Sequence, residues 1–192
     1  MLQDPLIESR EINLLDQDFR GVFERFAEKC AANGLIIRAG TTLRGPAAQA
    51  KMWCKAKTPE RVAQVRERLL PVAPTLASYL REEWAMIGPG LAAHLPGLSW
   101  HQWGEAVDIC VMVDDLPTWE GTAMRRVAEL AKGSEAQHVL NFNWRPIRQC
   151  QLQARRFEHP ILEPGFAGSF GEIEAEMSKR FWRLTNSDVL AP

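Results

Sequence analysis

SWHQWGEAVDIC, residues 99–110, sets His101 and Asp108 seven positions apart around Gly104, in a chain that has only four histidines. Its second half runs on into EAVDICVMV, residues 105–113, an apolar stretch of strand length with one acid inside it. Side chains alternate along a strand, so Ala106, Asp108 and Cys110 share one face while Val107, Ile109 and Val111 share the other. A carboxylate in such a strand needs a cation, a metal or several hydrogen-bond donors, because burying it alone is expensive. Gly104 is the residue best able to turn the chain so that His101 returns to the same place, and small Ala106 leaves room beside the acid. The pair admits two readings. His101 is a loop histidine and Asp108 a strand acid held by amides, or the pair is two-thirds of a catalytic zinc site, which takes three protein ligands and keeps a fourth position open.

Working outward, residues 16–33 place Phe19, Val22, Phe23, Phe26 and Ala27 on one helical stripe, with Asn33-Gly34 as the stop. LIIRAGTTLRG, residues 35–45, reads as a strand leading into a loop, and the adjoining GPAAQAKMWCKAK as a helix with proline in its first turn. Thr58-Pro59-Glu60 opens a long helix toward Met86 that Pro71 and Pro74 divide. After the strand at 105–113 come a helix in TWEGTAMRRVAELAKG and β-leaning pieces in HVLNFNW, RQCQLQA and RRFEHPILE. A last helix, residues 171–184, packs Ile173, Met177, Phe181 and Leu184. Helices and strands mix without regular βαβα alternation, so the expected class is α+β: a small, mostly antiparallel sheet with flanking helices.

The chain's 192 residues suit one domain, residues 1–192, that folds on its own as a monomer. With 23 Lys and Arg against 24 Asp and Glu there is no global basic field for nucleic acid. The first residues show neither a signal peptide nor a membrane span, so cytoplasmic synthesis is expected. Cys30, Cys54, Cys110 and Cys150 form no CxxC pair and read as buried thiols, although disulfides stay open.

Ser99, His101, Gly104, Ala106 and Asp108 together spell S-x-H-x-x-G-x-A-x-D. This resembles the signature of the zinc D-Ala-D-Ala carboxypeptidase and L-alanyl-D-glutamate endopeptidase family, which shares its fold with the Hedgehog signalling domain. LRGPAAQAKMW, residues 43–53, is similar to that family's arginine-bearing strand end and glutamine-bearing helix, and the likeness covers roughly residues 35–110. The resemblance implies a Hedgehog-like fold, Zn2+ as cofactor, His101 and Asp108 as ligands, and Arg44 on the substrate side. Zinc there would neutralise Asp108, lower the pKa of water toward about 7 and polarise a scissile carbonyl. Arg44 would hold a peptide carboxylate or a developing oxyanion through its planar fork; the alternative is a surface salt bridge. Ser99 either contacts substrate or caps the turn.

In that family the third ligand is a histidine on a later strand, with a catalytic Glu or Asp shortly before it, as E-x-x-W-H or D-x-x-H. This sequence departs from the pattern. His159 in RRFEHPIL is the expected third ligand, with Glu158 as general base, although neighbouring residues on a regular strand face opposite ways and a bulge or turn would be needed. His138, with Glu135 at ExxH spacing, is the competing pair. His94 reads as surface or structural, and Trp100 and Trp103 as packing that could also wall a pocket. The implied activity is hydrolysis of a peptide bond in peptidoglycan stem peptides, as in a phage or prophage endolysin acting on the wall after release. The alternatives are a non-catalytic phage structural or wall-binding protein that keeps the fold, and a cysteine hydrolase using Cys110 or Cys54.

Overall fold

The computed structural model describes residues 2–86, 94–132, 140–145, 149–154 and 170–181, with residues 140–145 and 149–154 placed by their backbone. It is α+β, and the strands of its sheet pair antiparallel. The chain divides into two units, one of Met1–Ile7, Arg44–Gln102 and His159–Pro192, the other of Glu8–Leu43 and Trp103–Glu158.

The second unit holds the sheet. Helix α1, Gln17–Ala32, begins where the Asp16 carboxylate accepts the N–H groups of Asp18 and Phe19, and it stops before Gly34, whose φ is +72°. Strand β1, Ile36–Ala39, pairs with β2, Ala106–Val113. β2 turns back at Asp114 and Asp115, both at positive φ, into the short β3, Leu116–Thr118. Positive φ at both central residues is what a two-residue hairpin turn of matching twist requires. Pro117 sits where β3 ends the pairing on its side, a position that tolerates a missing N–H. Strands β4, Leu140–Arg145, and β5, Gln149–Ala154, lie in two of the β-leaning pieces and pair antiparallel, giving among the described residues five strands in the order β1-β2-β5-β4 with β3 beside β2.

Packing obeys the two periodicities. Phe19, Val22, Phe23, Phe26 and Cys30 of α1 meet Val107, Ile109 and Val111 of β2, Ile37 of β1, and Met124, Val127 and Ala131 of helix α5, Gly121–Ala131. Val107 and Ile109 are at most 1% exposed, so the odd-numbered face of β2 is the core face and Asp108 lies on the other. Burying each such aliphatic side chain stabilises by about 1.5–3 kcal/mol, which fixes the register of β2 against a one-residue slip.

The first unit is helical. Helix α2, Pro46–Cys54, starts at Gly45, which has no side chain to cap it; the Pro5 carbonyl instead accepts the N–H groups of Ala47 and Ala48 at 3.0 and 3.3 Å. A Cβ at Gly45 would collide with that carbonyl, so glycine is needed for the close approach. Helix α3, Pro59–Leu69, is capped by the Thr58 hydroxyl, and helix α4, Pro74–Ser78, comes after the break that Pro71 and Pro74 foreshadow. A 3-10 turn at Glu82–Trp84 is tied to α3 by an ion pair of Arg66 and Glu82 at 2.7 Å. Helix α6, Phe170–Arg180, buries Ile173 and Met177, and its Glu174 carboxylate accepts the Leu76 N–H of α4 at 2.8 Å. No helix among the described residues is long and apolar enough to cross a membrane.

Candidate metal centre

The histidine half of the motif belongs to the first unit. Gly97, at φ +89°, lets the chain turn, and Ile173 of α6 fills the space a Cβ there would need. The loop then closes on Gln102, whose side-chain oxygen accepts the N–H of Gly97 at 2.7 Å and of Ser99 at 3.3 Å. A 3-10 turn, Trp100–Gln102, carries His101, which is 1% exposed. The His101 carbonyl accepts the backbone N–H of Arg44 at 3.2 Å, so the structure brings those two candidates side by side. Ser99 is buried, and its carbonyl accepts the Gln102 N–H, which is how a residue beginning a turn is used. Trp100 and Trp103 are half-buried.

Arg44 is only 7% exposed, which removes the surface salt-bridge alternative. Its Nη1 donates to Gln49 Oε1 at 3.3 Å, and Gln49 Nε2 donates to the His94 carbonyl at 2.9 Å. A guanidinium presents its donors in a planar fork, a shape that suits an anionic group. His94 is exposed and serves through its backbone, in keeping with a structural role.

The aspartate half belongs to the second unit. Gly104 has φ +71°, and its carbonyl accepts the Asp16 N–H at 2.9 Å. A Cβ at 104 would lie 2.9 Å from both Asp16 N and Leu14 O, so the turn at the head of β2 is one that glycine alone makes comfortably. Asp108 is half-buried between Ala106 and Cys110 on the non-core face. Its N–H donates to the Thr41 carbonyl at 2.9 Å, and its carbonyl accepts the Gly40 N–H at 2.6 Å. A Cβ at Gly40 would come within 3.4 Å of Asp108 Cβ, so Gly40 and Ala106 both leave space around this side chain.

An imidazole and a carboxylate are, by their chemistry, donors of the kind zinc takes. The rest of the expected set, His159 and Glu158 together with their rivals His138 and Glu135, lies outside the described residues. Among the described residues no three His, Cys, Asp or Glu side chains gather as a metal set.

Several residues of the site went unnoticed in the sequence. Gln102, Gly97 and Arg180 carry the His101 loop, and Gly40 flanks Asp108. Glu8 is a further acid: its carboxylate accepts the Thr41 hydroxyl at 3.4 Å, and the same Thr41 holds the Asp108 N–H. Only the two glycines had a signal to find, since the amide contacts depend on tertiary placement.

The cysteines are poor nucleophiles where their ionisation is shifted. Cys30, Cys54 and Cys110 are free and buried. Burial pushes the Cys30 thiol up to about 11 and raises Cys54 as well, so little thiolate is present at neutral pH.

No protein-family model matches the chain, and no curated protein matches it. The functional reading therefore stands on the residues and their local geometry.

Proposed function

We propose that this protein is a zinc-dependent peptidase of Hedgehog-like fold that hydrolyses a peptide bond in peptidoglycan stem peptides, as a phage or prophage endolysin does. The bond is L-Ala-D-Glu in an endopeptidase and D-Ala-D-Ala in a carboxypeptidase. The observation that carries the reading is the folding of S-x-H-x-x-G-x-A-x-D. It forms a buried histidine turn, a glycine at φ +71°, and a strand whose one acid lies opposite the core face.

A zinc ion bound at such a site supplies a Lewis acid for water and for the scissile carbonyl. His101 and Asp108 would hold it, with His159 as third ligand. Glu158 takes the proton that water loses and returns it to the leaving amine, as general acid-base catalysis requires. Arg44, held by Gln49, binds a substrate carboxylate or the charge that develops on the carbonyl oxygen. Ser99 uses its backbone in the turn, and its hydroxyl would contact substrate.

Zinc content and clearing of a bacterial wall suspension test this together. One zinc per chain with clearing is expected. Loss of zinc in His159→Ala and retention in His138→Ala are the outcomes this ligand set predicts; the reverse pattern would transfer the third ligand to His138 and the base to Glu135. The adjacency of Glu158 and His159 in the sequence favours a second reading, a non-catalytic wall-binding protein, since neighbours on a regular strand would face opposite ways. Stoichiometric zinc without clearing is its signature.

A further inference from the structure

We infer that Gln102, backed by Arg180 of α6, is a positioning residue that sets the place of His101 before any ligand arrives; the ligand His101 then holds rests on the zinc reading above. Gln102 is fully buried, at 0% exposure, where an amide oxygen left without donors would be costly. Its Oε1 collects two N–H groups, those of Gly97 and Ser99, and so closes the loop Gly97–Gln102 on itself. The backbone is then fixed on both sides of the histidine. The His101 carbonyl accepts the Arg44 N–H, and the Gln102 carbonyl accepts Arg180 Nη1 at 3.1 Å.

Arg180 is in turn held in place from α6. Ile173 of that helix occupies the space left by Gly97, and the Arg180 carbonyl accepts the Gln3 N–H at 2.8 Å. Helix α6 is thus a brace for the His101 turn. Among the described residues Gln102 Nε2 has no hydrogen-bond partner, so the working end of the side chain is its oxygen. Gln102→Met is the disruptive exchange, because it keeps volume and loses the acceptor. Groups that orient a metal ligand in this way typically account for about 10–100-fold in metal affinity.

The test uses the full chain, metal-free and at one pH, with the His101 ring resonance assigned by its disappearance in His101→Ala. Wild type should show one narrow ring signal. Gln102→Met and Arg180→Met should broaden or split it and, in a zinc competition against a chelator, bind the ion about 10–100-fold more weakly. An unchanged ring signal in Gln102→Met overturns the inference. If wild type takes up no zinc, the zinc reading fails while the ring signal still decides the positioning role. Should Gln102→Met not fold, Arg180→Met, which removes one contact to the turn and keeps the side-chain stem, decides it on the same signal.

Discussion

Gly104 shows how much one residue can determine at the motif. Its φ of +71° is a conformation that other residues adopt only under strain, and backbone atoms of Leu14 and Asp16 stand where a Cβ would go. Gly104→Ala should therefore lower stability by about 1–3 kcal/mol, read as a shift in the urea midpoint at unchanged slope. Cys30 makes a separate prediction in pH. In the unfolded chain its thiol ionises near 9.0, while burial holds it at about 11 in the folded state. Its contribution is thus intact below pH 9 and declines as pH rises through about 11, a loss on the order of 2–3 kcal/mol. Cys30→Ala should flatten that alkaline fall in a pH series of melting temperatures. The glycine and the alternation around Asp108 were readable in the sequence, because glycine's conformational freedom and the period of a strand are local properties. Gln49 and Gln102 were not, since an amide's partners are chosen by the tertiary fold.

At the level of elements, the strong signals carried through. The Asp16 cap and Gly34 bound α1, Thr58-Pro59 opens α3, and prolines 71 and 74 separate α3 from α4, because each acts on its own backbone. The strand β3 was missed. Its turn is Asp114-Asp115 rather than the Asn-Gly or Asp-Gly pair that announces a hairpin, and β3 is three residues long with a proline inside. Two non-glycine residues at positive φ carry a steric cost that glycine would remove. Asp115→Gly should therefore stabilise the chain by about 1 kcal/mol, visible as a higher melting temperature. A fall instead would mean that the Asp115 side chain itself anchors the turn. The β-leaning reading of residues 140–145 and 149–154 also holds, since their alternation of amides and apolar residues has the period of a strand.

Across the whole molecule the two units are interleaved in sequence. The chain passes between them after residues 7, 43, 102 and 158, so neither unit is one continuous piece that could be cut out and folded alone. The division after Gln102 falls inside the motif, leaving His101 in one unit and Asp108 in the other. Such interleaving predicts one cooperative unfolding transition, with far-ultraviolet dichroism and tryptophan fluorescence giving the same midpoint. Two separated midpoints would show units that fold independently. The central claim, the proposal that this chain binds zinc through residues of its motif, is tested most directly by the zinc-to-protein ratio of the zinc-loaded, dialysed chain. One zinc per chain in the wild type, and none in His101→Ala or Asp108→Asn that still fold, is the predicted result. A wild-type chain that retains no zinc, or variants that retain it in full, would contradict the account.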